Sequence, residues 1–246
     1  LLSFASINLK ADQTIGGTAL NLMAPAMVLF LIRIIDGQNI LDMKSGDSAT
    51  WFMLKKSTFG IPKNQDIGFL GTTFLNKVYL ATYVCILLFI ILSVILYKTR
   101  FGLRLRACGE NPQAADSRGI NVYKMRWAGV LISGVLGGIG GIVFITAGVS
   151  EWRFEYGVAG FGFLSLAVMI FGQWKPQRIA LAALLFGFFR ALGNVYTGFS
   201  FLKALNLPSS LYNMLPYIIS LIVLAFTSKN SRAPKAEGIP YDKGMR

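Results

Sequence analysis

The sequence predicts an all-α, polytopic integral membrane protein, a helical bundle, and three observations carry that reading. Of its 246 residues, 54% are apolar and only 14% are charged, whereas a soluble domain holds roughly 45–50% apolar and about 25% charged residues. The mean hydropathy is +0.57. Six apolar stretches stand out, and the segments between them hold most of the charge. Other classes are excluded by the same composition. Two cysteines do not make a disulfide scaffold, and the apolar content is incompatible with intrinsic disorder. With no histidine, there is no imidazole base, His metal ligand or His pH switch. The net charge of +13 lies between the apolar stretches and accompanies no groove-reading motif, which speaks for basic membrane loops and against nucleic acid as a partner.

In chain order, Leu1–Leu9 is an apolar fragment too short to span and begins without a methionine. A cleaved signal peptide could leave such an end, but a mature terminus inside an apolar run is unusual, and the fragment reads rather as the tail of a preceding span in an N-terminally truncated chain. Ile15–Ile35, Lys77–Tyr97, Trp127–Val149 and Ile179–Phe199 each supply the roughly 20 helical residues that cross about 30 Å of hydrocarbon. Leu211–Thr227 is slightly short. Val158–Gly172 has 15 residues and is expected to be a broken or half-depth helix, tolerated where protein or a cavity covers its ends.

Charge orients the spans. Lys98–Arg126 holds seven Lys/Arg against Glu110 and Asp116, and the tail after Thr227 holds five against Glu237 and Asp242. Asp36–Asn76 has four lysines and four acids. The first two segments are therefore cytoplasmic and the third external. The alternation closes with Glu151–Gly157 and Ser200–Ser210 outside and Gln173–Arg178 inside. The expected organisation is a membrane domain over 1–227, with a cytoplasmic loop at 98–126 and an external segment at 36–76, followed by a cytoplasmic C-terminal tail over 228–246.

The basic loop carries most of the information. Asn111 suits an N-cap, Pro112 the first helical position, and Gly119 the left-handed site after Gln113–Arg118. These predict a two-turn helix. Alone in water so short a helix is unstable, so it packs against something. Two readings remain open: a connector resting on the membrane surface, or a docking helix for a cytoplasmic partner.

At this loop, GLRLRACGENPQAADSRGI (Gly102–Ile120) resembles the cytoplasmic coupling segment of ABC-transporter permeases of the ribose and branched-chain-amino-acid type, nearest to the nucleoside and simple-sugar subgroup. ADQTIGGTALNLMAP (Ala11–Pro25), FGFLSLAVMIFGQWKP (Phe161–Pro176), NMLPYIISLIVLAF (Asn213–Phe226) and SRAPKAEGIPYDKG (Ser231–Gly244) resemble the same subgroup, in order. Arg118 departs from the pattern, which has a small or apolar residue there. The resemblance implies a permease subunit of a binding-protein-dependent importer in the cell membrane. A second, homologous permease chain completes the channel, and an extracellular substrate-binding lipoprotein delivers nucleosides or simple sugars. ATP-binding cassette ATPases dock beneath, so ATP and magnesium belong to them and this chain carries no cofactor or metal. The residues expected at the ATPase contact are Gly109, Glu110, Asn111, Pro112, Ala114, Ala115, Asp116, Arg118 and Gly119.

The sequence's own chemistry is compatible with that role. It has no GxxxxGK[ST] loop and no HExxH, GxSxG or CxxC pattern, so it offers no enzyme site. A sodium- or proton-coupled transporter is the first alternative; the six spans lack the intramembrane carboxylate common in that class, although carbonyls of broken helices also bind sodium. A non-transporting membrane scaffold is the second.

Candidate pathway residues are few. Thr14, Thr18 and Asn21 follow i, i+4, i+7 spacing and form one polar stripe, suited either to interhelical hydrogen bonds or to ribose hydroxyls. Arg190 sits mid-span, with Asn194 one turn on. The pair serves either structural hydrogen bonding or the pathway. Tyr83, Phe161 and Phe163 are packing aromatics or base-stacking groups. Gly134/Gly138 and Gly137/Gly141 make two GxxxG spacings, read as close helix packing or as a hinge. Cys85 in a span and Cys108 in the loop are not expected to form a disulfide.

Overall fold

The computed structural model describes residues 1–37, 42–43, 53–54, 68, 78–145, 152–153, 160–195, 214, 217–218, 221 and 233–244. They fall into two compact units, Leu1–Val158 with Gly238–Arg246, and Ala159–Glu237.

The first unit opens with a π-helical turn, Phe4–Asn8, followed by α1, Gln13–Asp36. Asp12 caps α1, its carboxylate accepting from the Thr14 and Ile15 amides at 2.7 and 3.2 Å. Those two donors also hold the Asp12 carboxyl below its ordinary pKa. At the far end Gly37, with φ of 66°, supplies the left-handed residue that stops the helix. Pro25 lies inside α1 and has no N–H, so the Asn21 carbonyl lacks its usual helical donor.

Helix α2 covers Leu80–Lys98, beginning three residues later than the expected span because Val78–Tyr79 is a short strand. The segment expected as a loop is itself largely helical. Helix α3 runs Arg100–Glu110, α4 Pro112–Ser117, and α5 Val122–Val143. Thr99 makes the α2–α3 corner: its hydroxyl donates to the Ile95 carbonyl at 2.5 Å and accepts from the Gly102 amide at 3.2 Å. The corner is so tight that a Cβ on Gly102 would run into the Ile95 and Leu96 carbonyls. Asn121 caps α5 by accepting from the Lys124 amide at 3.0 Å. That cap starts α5 five residues ahead of the expected Trp127 and extends the helix beyond the apolar stretch.

Two antiparallel strand pairs complete this unit. β1 (Asp42–Met43) pairs with β4 (Trp152–Arg153), and β2 (Met53–Leu54) with β3 (Val78–Tyr79). Helices α1, α2 and α5 are each long and apolar enough to cross a membrane. Their sides are left largely uncovered by the described residues, as suits surfaces that meet lipid or other helices.

The second unit contains α6, Phe161–Phe171, and α7, Pro176–Val195. With 11 residues, α6 spans about 16 Å, roughly half the hydrocarbon thickness, as expected for a half-depth helix. It folds back on α7 through a turn in which Gln173 and Trp174 adopt positive φ, and Val168, Ala182 and Phe186 form the buried contact between the helices. The expected span Leu211–Thr227 lies almost wholly outside the described residues; positions 214, 217, 218 and 221 are helical.

Candidate functional site

The candidate coupling helix is α4, and it forms because of its own sequence. The Asn111 side chain accepts from the Ala114 amide at 3.0 Å, and the Asn111 carbonyl accepts from Ala115 at 3.1 Å. Pro112 sits at the start, where a missing N–H costs nothing. At the end, Gly119 has φ of 78° and Ile120 donates back to the Ala115 carbonyl at 3.1 Å. Cap, proline and terminator lie where the sequence predicts them.

One face of α4 is seated. Ala115 is 4% exposed and packs with Cys108, Val122 and Tyr241. Burial pushes the Cys108 thiol pKa up. Gln113, Ala114, Ser117 and Arg118 lie on the exposed side, while Asp116 and Pro112 are half-buried. Of the expected contact residues, Ala115 thus turns inward and seats the helix, while Ala114 and Arg118 face outward. Gly109 is half-buried at the end of α3, and Glu110, Asn111 and Gly119 are exposed around α4. Sequence reasoning passed over Gln113 and Ser117, which the i, i+4 spacing from Gln113 places on one side of α4.

A cleft of about 340 Å³ opens beside α4, lined by Asn111, Gln113, Asp116 and Ser117 and, from the tail, Tyr241, Asp242 and Lys243. The tail's part in this surface was not foreseen. Its advance signal is Tyr241, the one aromatic residue in the tail, within the family-like stretch Ser231–Gly244. Trp127 Nε1 donates to Asn8 Oδ1 at 3.0 Å, tying the chain before α1 to the first turns of α5.

The candidate pathway residues are distributed differently. Thr14, Thr18 and Asn21 are exposed on α1. Thr18 donates its hydroxyl to the Thr14 and Ile15 carbonyls at 2.5 and 3.2 Å, a bond within its own helix. Arg190 lies on α7, its guanidinium 4.2 Å from the Phe161 ring centroid. That cation–π contact was absent from both readings of Arg190, and it ties Phe161 to a cation. Asn194 is in the last turn of α7, and its side chain lies outside the described part. The GxxxG glycines of α5 have no neighbouring atom within 4 Å of a Cβ placed on them, so close packing on them is not found among the described residues. Cys85 and Cys108 are both free thiols.

Apolar helices of spanning length, a half-depth helix, and a capped helix presented from a basic loop define a membrane-embedded transport subunit of the permease class. The chain belongs to the family described as branched-chain amino acid transport system / permease component, which matches residues 1–224. It is 42% identical over 243 residues to the nucleoside ABC transporter permease protein NupC of Lactococcus lactis subsp. cremoris (strain MG1363), covering 99% of this chain and 73% of that protein. It is 39% identical over 242 residues to the guanosine ABC transporter permease protein NupQ of Bacillus subtilis (strain 168), covering 98% and 72%. A third relative, the nucleoside ABC transporter permease protein NupB of the same Lactococcus strain, is 30% identical over 103 residues, covering 42% of this chain and 28% of NupB. No solved structure matches. The transport-permease reading therefore stands above the ion-coupled carrier and the scaffold.

Proposed function

We propose that this chain forms part of the translocation path of a binding-protein-dependent ABC importer for nucleosides, powered by a separate ATPase that docks on α4. Similarity to a nucleoside permease and a guanosine permease over nearly the whole chain carries the proposal. A second permease chain is the natural partner, since one Lactococcus strain has both NupC and NupB among the relatives. An extracellular binding protein delivers the cargo, and ATP with magnesium sits on the ATPase.

Sidedness supports this arrangement. The β1–β4 pair joins segments 36–76 and 151–157, both read as external. The C-terminal tail packs on α4 and the start of α5 and pairs with Lys10 before α1, whose neighbour Asn8 bonds Trp127 on α5; charge assigns the tail and the 98–126 segment to the cytoplasm. The C-terminus is then cytoplasmic.

The route itself uses Thr18 and Asn21, where Pro25 leaves the Asn21 carbonyl to accept from cargo hydroxyls, with Arg190 and Asn194 as secondary contacts. Uncharged, weak groups suit a pathway that must release what it admits. Uptake of radiolabelled nucleoside into proteoliposomes holding the complete transporter tests this. Uptake should require the ATPase, slow for Asn21→Leu with assembly intact, and fail for the matching nucleotide. Uptake without the ATPase, or equal uptake of nucleotide, overturns the proposal.

A further inference from the structure

The C-terminal tail is built into the foot of the molecule. Gly238, with φ of 74°, turns the chain, and Tyr241 then inserts its ring until only 6% remains exposed, against Cys108, Ala115 and Val122. The Tyr123 ring meets it edge-on at 5.3 Å. Arg126 lies 6.0 Å over the same ring and donates to the Ile239 carbonyl at 2.8 Å. One residue on, Asp242 pairs with Lys10 at 2.7 Å and accepts from the Gly244 amide at 3.1 Å. Seven residues thus reach α4, the foot of α5 and the chain leading into α1.

A six-residue helix does not hold itself. The buried side of α4 is little more than the Ala115 methyl, and the largest side chain covering it comes from the tail. We propose that Gly238–Gly244 is a strap fixing α4 to the chain that leads into α1, with Tyr241 and Asp242 as positioning residues for energy coupling. A loose α4 would absorb the motion of an ATPase; a strapped one passes it to the helix bearing Thr18 and Asn21. This rests on the reading of α4 as the ATPase contact. The Lys10–Asp242 pair is exposed, and such pairs stabilise little. Its role is alignment, so a swapped pair keeps the contact to residue 10 and gives up only the bond between Asp242 and the Gly244 amide.

The test uses the complete transporter in proteoliposomes with Cys85→Ser as background. It measures maleimide labelling of Cys108, ATPase co-purification, and nucleoside moved per ATP hydrolysed. Tyr241→Ala should raise Cys108 labelling about tenfold as the strap opens locally. It should lower nucleoside moved per ATP by roughly fivefold or more while the ATPase stays bound. Tyr241→Phe, which keeps the buried ring, should stay near the parent. Lys10→Asp and Asp242→Lys should each lower coupling, and the double variant, which rebuilds the pair without the Gly244 bond, should restore most of it. Full coupling in Tyr241→Ala overturns the strap, as does unchanged Cys108 labelling. Should Tyr241→Ala fail to assemble, the swap decides, and a double variant no better than its parents overturns the proposal. Loss of ATPase binding belongs to the docking reading, which variants of α4 test separately.

Discussion

Replacing Ala115 with proline attacks α4 at the bond that closes its first turn. The Ala115 N–H donates to the Asn111 carbonyl at 3.1 Å; proline removes that donor and sets its ring against the same carbonyl, costing roughly 3 kcal/mol. Ala115 is also 4% exposed, so the added ring atoms meet Cys108, Val122 and Tyr241, and overpacking adds about 1–3 kcal/mol. With each 1.4 kcal/mol worth tenfold, the proline cost alone lowers the ratio of seated to unseated helix more than about a hundredfold. The assay is nucleoside uptake and ATPase co-purification from one membrane preparation. Ala115→Pro should abolish uptake, while binding of nucleoside to the separate extracellular protein is untouched. Arg118→Glu is the companion: Arg118 is exposed, so charge reversal leaves the helix standing and tests only its contact surface. Parental uptake and ATPase association in Ala115→Pro would refute the docking role of α4.

Two further outcomes follow from the foot of the molecule. Gly102→Ala should destabilise the α2–α3 corner by about 1–3 kcal/mol, because its methyl meets the Ile95 and Leu96 backbone. Gly129→Ala, opposed only by the Leu105 Cδ1 at 3.3 Å, should be milder, and thermal unfolding of the detergent-solubilised complex compares them. Lys10 holds the Asp242 carboxyl below its ordinary pKa, helped by the Gly244 amide, and Asp242 raises Lys10. A depressed carboxylate contributes above its unfolded pKa and is lost as pH falls through the folded one; a raised lysine contributes below its unfolded pKa and is lost as pH rises through the folded one. Protection of Cys108, read by pulsed maleimide labelling and corrected for thiolate fraction, should therefore stay flat between about pH 5 and 8. A break inside that window would show that another group titrates at the strap.

The sequence made the caps of α4 legible because capping is local: Asn111, Pro112 and Gly119 act on amides and φ angles within a few residues of themselves. Helix α3 was equally local and was missed. Thr99 is a good N-cap, and Phe101, Leu105 and Cys108 follow i, i+4, i+7 spacing, each less exposed than Arg104 and Arg106. Counting the charge of the segment hid that period. The span starts shifted for the same kind of reason, since Asn121 starts α5 among charged residues that a hydropathy boundary excludes. What no local rule carries is the return of Tyr241 to a helix more than a hundred residues earlier, or the placing of Arg190 over Phe161. Those depend on tertiary packing, where one aromatic residue in a polar tail looks like any other. The polar stripe on α1 was visible as a period; which surface it faces is set by the assembled channel.

The contrast between the foot and the proposed pathway has a physical sense for a permease subunit. Around α4 the side chains are fixed by caps, a buried cluster, a tyrosine pair and ion pairing, and the geometry is held at several points at once. Along the first half of α1, Gln13–Pro25, the polar groups are few and uncharged, and Thr14, Thr18 and Asn21 are exposed, with the Thr18 hydroxyl turned onto its own backbone. A proposed importer fed by a binding protein gains nothing from a tight midway site, because affinity there would hold the cargo. It loses transport per ATP for every degree of freedom left between ATPase and spans. Rigidity therefore belongs at the foot and permissiveness along the route. Swapping these properties, by adding a charged partner beside Asn21 or by loosening Tyr241, should impair transport through opposite faults: retained cargo in the first case, wasted hydrolysis in the second.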